Sequence, residues 1–142
     1  MKWRPNWFTL TVVIILFVAF FSYVTFAPAT LQVELNPSSL NIQQGEITEL
    51  NISLRNSAGF RPTAKEVYGQ LELPDGFIEN PFHTQTRDLI FGTILRGDAS
   101  HYRLEIIAEN DLESGTYYAK FTFWGKNVQT HEIDIELIVD PA

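Results

Sequence analysis

Three histidines, His83, His101 and His131, are the residues best suited to proton transfer or metal binding, because the chain has no cysteine and its only methionine is Met1. No two of them are spaced i, i+2 or i, i+4, as a local metal site would need. They are read as surface or loop histidines, and neither a metal nor a cofactor is expected. The serines are Ser38, Ser39, Ser53, Ser57, Ser100 and Ser114, and none sits in a G-x-S-x-G nucleophile elbow. Ser38, Ser39 and Ser114 lie in turn contexts, where hydroxyls bond backbone. Glu132, Asp134 and Glu136 alternate at a spacing of two and so share one strand face, which reads as a solvated outer face rather than a calcium or cation site. No catalytic residue is expected, and no enzyme.

Two short motifs invite other chemistry. Arg96-Gly97-Asp98 is an adhesion tripeptide when displayed on a flexible loop, but tripeptides recur by chance, and an ordinary turn is the expected reading. Asn51-Ile52-Ser53 is the N-glycosylation sequon that proline does not block; in Asn36-Pro37-Ser38 it does. Asn51 alternates with Leu50 and Ile52, so it should point away from the core and leave room for a glycan.

Aromatic residues are the stronger signal. Tyr68, Tyr118 and Trp124 fall on the outer phase of their expected strands, and Phe60, Phe77 and Phe82 lie in or near loops. Exposed aromatics gathered on one face mark a protein interface. Tyr68, Tyr118 and Trp124 are therefore the interface candidates.

The elements that carry these residues are strands. From Leu31 onward apolar and polar residues alternate with period two, in short runs bounded by Gly, Pro, Asn, Asp and Ser. Leu31, Val33 and Leu35 begin a first strand, which resumes at Leu40 and Ile42 after a kink at residues 36–39. Leu50, Ile52 and Leu54 mark a second. Val67, Gly69, Leu71 and Leu73 mark a third, closed by a Pro74-Asp75-Gly76 turn. Phe77-Ile78 and Asp88 to Phe91 form short strands. Longer ones carry Tyr102 to Ala108, Tyr117 to Phe123 and Ile133 to Val139. Seven to eight strands with turns every 8 to 12 residues indicate an all-β, immunoglobulin-like antiparallel β-sandwich, with a small barrel as the alternative.

Ahead of the strands, residues 7–27 form an uninterrupted uncharged and largely apolar run, preceded only by the charges of Lys2 and Arg4. As a helix it reaches about 30 Å, the thickness of a bilayer's hydrocarbon core. Its apolar side chains favour insertion by about 4 to 8 kcal/mol. The expected organisation is a cytoplasmic N-terminus (1–6), one transmembrane helix (7–27), a linker (28–30) and an extracytoplasmic domain (31–142). Trp3, Trp7 and Tyr23 fall at interfacial positions. Ala27-Pro28-Ala29 also has the small-x-small form of a signal-peptidase site, so cleavage after Ala29 is the alternative; the length of the run favours a retained anchor. With Lys2 and Arg4 set aside from the overall −7, the rest carries −9. Such a surface repels phosphate backbones and excludes nucleic acid as the expected partner. Without disulfides, the domain must be held by packing alone.

Three stretches carry a family likeness. Leu35-Asn36-Pro37-Ser38-Ser39-Leu40, with Gly45 and then residues 48–54, resembles the first two strands of exported immunoglobulin-like modules of the archaeal S-layer-associated and CARDB adhesion type. Phe91-Gly92-Thr93-Ile94-Leu95-Arg96-Gly97-Asp98 is similar to the turn before a long central strand in that family. Ser114-Gly115-Thr116-Tyr117-Tyr118 resembles its glycine-x-tyrosine strand entry. Tyr117 at that place suggests a tyrosine corner, with its hydroxyl on nearby backbone. The likeness implies adhesion, spacing or docking in the cell envelope; archaeal motility proteins with one membrane helix and an outer sandwich are a neighbouring group. The expected function is a membrane-anchored extracytoplasmic interaction or structural protein, with the lipid bilayer and another envelope or membrane protein as partners. The alternative is an accessory single-pass subunit of a membrane complex or enzyme, and after it a metal- or ligand-binding module.

Overall fold

A computed structural model describes residues 6–26, 28–57 and 62–141, without the side chains of residues 23–26. The chain opens with a helix, α1 (Trp7–Phe26). Asn6 caps it, its Oδ1 accepting from the Thr9 backbone N–H at 2.7 Å. That satisfies one of the orphan donors of a first turn. The Thr11 hydroxyl donates back to the Trp7 carbonyl at 2.7 Å, which removes its polarity from the apolar surface. Every described side chain of α1 is exposed, from 84% at Trp7 down to 39% at Val12 among its large apolar residues, so none of these side chains is committed to the sheets. Over the described side chains, no helix is long and apolar enough to cross a membrane. At the place of the expected span 7–27 the structure shows an exposed apolar helix whose backbone continues to Phe26, and over its described residues it does not reach the length and apolarity of a membrane span. Among the expected interfacial aromatics, Trp7 starts this helix; Trp3 and the side chain of Tyr23 fall outside the described residues, as do Lys2, Arg4, Ala27 and, further on, Phe60.

Nine strands follow among the described residues: β1 (Leu31–Asn36), β2 (Ser39–Ile42), β3 (Ile47–Asn56), β4 (Ala64–Glu72), β5 (Phe77–Asn80), β6 (Thr86–Ile94), β7 (Ala99–Ala108), β8 (Gly115–Gly125) and β9 (Val128–Val139). They form a four-stranded sheet, β1-β3-β7-β5, and a five-stranded sheet, β2-β9-β8-β4-β6. The count exceeds the expected seven to eight because the kink at residues 36–39 divides the first strand between the sheets. Pairing is antiparallel except where β2 runs parallel to β9, Leu40 opposite Leu137, so the expectation of a wholly antiparallel fold needs correcting there.

Both inner faces contribute to one core. Leu40, Ile42, Leu50, Ile52, Leu54, Leu71, Phe121, Ile135 and Leu137 are fully buried, in the alternation the strand period requires. Phe77 belongs to this core and not to a surface patch. Phe91 and Phe121 meet edge to face, ring centroids 6.0 Å apart. Gly69 fits beneath them because it lacks a side chain: a Cβ there would stand 2.8 Å from Phe91 and 2.9 Å from Phe121 ring carbons. Pro74-Asp75-Gly76 forms the expected turn, with Gly76 at φ 92° and the Phe77 N–H donating to the Pro74 carbonyl.

Candidate functional site

The histidines do not converge. His101 lies on β7 in the four-stranded sheet, His131 on β9 in the five-stranded sheet, and His83 in the loop between β5 and β6. Among the described residues, no group of three or more His, Asp and Glu is placed to hold a metal ion. His101 has one partner that the sequence does not advertise. It sits directly opposite Ser53 on β3, with Nδ1 2.8 Å from Oγ. Such a pair matches a nucleophile and base in geometry. Here, however, Ser53 is buried, at 9% exposure, and no described carboxylate bonds the imidazole to orient it. Asn51, two residues away, is half-buried, and its Nδ2 donates to Glu49 Oε1 at 3.2 Å.

Arg96-Gly97-Asp98 is a tethered turn. The Gly97 N–H donates to the Asn56 carbonyl at 2.8 Å, and the Asn56 N–H donates to the Asp98 carbonyl at 2.9 Å. The Asn56 side chain is wholly buried and donates through Nδ2 to the carbonyls of Pro62 and Ile94, at 2.9 and 3.0 Å. It pins the β3–β4 connection to the β6–β7 turn at one end of the sheets. Tyr117 forms the expected corner, its hydroxyl donating to the Glu113 carbonyl at 2.7 Å. Its ring packs edge-on against Phe77, centroids 5.3 Å apart.

Glu79 is the one acidic side chain buried in this domain among the described residues, 3% exposed on the inner face of β5. Its Oε2 lies 3.7 Å from Arg87 Nε, too far for a hydrogen bond, and both atoms lack another partner. Burial pushes the Glu79 carboxyl above its ordinary value, and the Arg87 guanidinium offsets part of that rise. The Arg87 guanidinium carbon stands 4.1 Å from the centre of the Phe82 ring, which is itself exposed.

The interface candidates are all exposed, but they separate. Tyr68 on β4 stands opposite Trp124 on β8, ring centroids 6.5 Å apart, and opposite Ile90 on β6. The three make a cross-strand row on the outer face of the five-stranded sheet, 66% exposed at Ile90, 41% at Tyr68 and 37% at Trp124. Tyr118 shares the face but stands six positions along β8 from Trp124, about 20 Å away at the strand rise, opposite Glu136. Ile90 could have been read from sequence: with Leu89 and Phe91 inward, it must point out.

The row coincides with irregular backbone. Pairing of β4 with β6 slips on both sides of Val67, where Glu66 takes φ 50° and Gly92 φ 72°, and pairing of β8 with β9 slips between Phe123 and Gly125. Bulges re-aim side chains, and strain of this kind persists where surrounding structure fixes it. Beyond the row the face turns polar, with Gln70 donating to Asp88 at 3.2 Å and Lys120 3.8 Å from Glu132. The acidic stripe of Glu132, Asp134 and Glu136 thus lies on the outer face, one member paired with a lysine. An apolar centre with a polar margin is the anatomy of a docking surface.

No family model matches the chain, and no curated protein matches it either. Among solved structures 218 chains match. One is described by the words "AvmM Catalyzes Macrocyclization in Alchivemycin A Biosynthesis", at a TM-score of 0.52 and 7% identity, over 82% of this chain and 93% of that one. The likeness is one of fold alone.

Proposed function

We propose that this chain is a membrane-anchored, extracytoplasmic interaction protein of the cell envelope, which docks a partner protein through the outer face of its five-stranded sheet. The Ile90–Tyr68–Trp124 row carries this reading, because large apolar side chains gathered beside bulged backbone have no role in the core. The anchor is α1: apolar around its whole circumference and exposed at every described side chain, it suits lipid better than water. The sandwich is of immunoglobulin-like type. One inter-sheet crossing by a broken first strand, central β3–β7 and β9–β8–β4 neighbours, and a tyrosine corner support that assignment. Tethering confines the domain to the neighbourhood of other envelope proteins and raises its effective concentration there. We assign it no catalysis, since macrocyclization is said of a protein that shares 7% identity with this one. A glycan on Asn51 would stand on the opposite sheet and leave the row clear.

The test is co-purification from membranes extracted in mild detergent. The full chain is expected to be released only by detergent and to bring a stoichiometric envelope or membrane protein with it. Tyr68→Ala with Trp124→Ala should weaken that association at least about tenfold, the scale of aromatic anchors at interfaces, while Tyr118→Ala leaves it intact. Release by alkaline carbonate, or equal effects of the two substitutions, would overturn the reading.

A further inference from the structure

The segment following α1 is fastened to one end of the sandwich. The Ala29 N–H donates to the Asn127 carbonyl in the β8–β9 turn at 2.7 Å, and Ala29 is 5% exposed. Asn127 in turn accepts the Lys65 N–H at 2.8 Å through Oδ1 and donates to the Thr63 carbonyl at 2.8 Å through Nδ2. From Phe26 to Ala29 the chain spans at most about 10 Å. This end therefore cannot stray far from the end of α1.

Charge is divided between the two ends. At the fastened end Lys65 and Lys126 are backbone neighbours, the Lys126 N–H donating to the Lys65 carbonyl at 3.0 Å, and neither makes an ion pair among the described residues. Arg96 is on the adjoining turn, beside Leu95, which is 55% exposed. The carboxylates here are Glu66 and Asp98. The opposite end carries Glu46, Asp75, Glu109, Asp111, Glu113 and Asp140 in its loops, and no lysine or arginine among the described residues of those loops. The overall charge of −7 hides this polarity.

We infer that the fastened end, through Lys65, Lys126 and Leu95, is a seat for the headgroups of an anionic lipid surface, holding the domain upright with its acidic end pointing away. This deepens the anchored reading and rests on it. Cations near an anionic leaflet are attracted within a Debye length, and an exposed leucine at the same tip enters the headgroup boundary. The seat has a consequence for docking. Trp124 is two residues from Lys126, so the row faces sideways just above the lipid, at the height of a partner embedded in the same membrane.

The absence of cysteine makes the test direct: single cysteines can be introduced at Leu95, Asp111 and Val13 of the full chain, labelled with a fluorophore and placed in lipid nanodiscs. Quenchers are carried on headgroups or acyl chains, in discs of phosphatidylcholine with or without phosphatidylglycerol. The Val13 label should be quenched from acyl chains in both discs, and the Leu95 label from headgroups far more in the anionic disc. The Asp111 label should not be quenched in either. Lys65→Gln with Lys126→Gln should lower the seating equilibrium about 25-fold, at roughly fivefold per lysine, without moving the Val13 signal or the melting temperature. If Val13 is quenched while Leu95 behaves like Asp111, the anchor stands and the seat falls. If Leu95 is quenched regardless of lipid charge and of the lysines, the tether alone explains the proximity and the seat is again overturned. A silent Val13 label removes the anchor, and the seat with it.

Discussion

Buried polar side chains are where single residues matter most in this fold. Asn56 donates to two carbonyls from full burial, and its loss leaves both acceptors bare. Asn56→Ala should therefore cost about 1–3 kcal/mol in urea unfolding. Glu79 acts through pH. Its carboxyl is held above the ordinary 4.5, chiefly by burial, so the folded chain keeps a proton that the unfolded chain has released. The stability this contributes is complete below the unfolded value and is lost as pH rises through the raised one. Glu79→Gln stays neutral throughout, and the gap between its urea midpoint and the parent's should widen in the variant's favour from about pH 4 to about pH 7. Neither residue is conspicuous in the sequence. Asn56 closes an apparently polar strand end, and Glu79 is betrayed only by sharing the phase of Phe77.

At the scale of elements, period-two alternation places the strands well, because one buried face per sheet forces it. What alternation cannot report is which sheet a strand joins. The first strand crosses between sheets at residues 36–39, and β5 and β6 settle on edges of different sheets. Tyr102 shows what such a crossing supplies. Its hydroxyl, on β7, accepts the Ile90 N–H at 2.9 Å and donates to the Ile90 carbonyl at 2.7 Å, closing the outer edge of β6 at that point. Tyr102→Phe reopens a donor and an acceptor on an exposed strand, and should show as concentration-dependent self-association by sedimentation velocity. Gly69 was legible as an inward position but not as a tight one. Gly69→Ala should cost about 1–3 kcal/mol, because the Phe91 and Phe121 rings must move aside.

Across the whole molecule, the outward phase of Tyr68, Tyr118 and Trp124 was readable from sequence, yet their grouping was not. Tyr68 and Trp124 meet because β4 and β8 are neighbours, a fact of topology; Tyr118 shares the face and stays apart. The polarity of charge between the ends is likewise invisible along the chain, where acidic and basic residues are interleaved. The clasp between Ala29 and Asn127 bears on maturation of the protein. A peptidase cutting after Ala29 would discard a buried methyl together with a backbone donor, leaving the Asn127 carbonyl to find water. A processed form would fold with its first strand unfastened at the base, weaker by roughly 1 kcal/mol for the missing bond alone. On this geometry the residue at the cleavage point belongs to the folded domain, and its loss is a cost in stability.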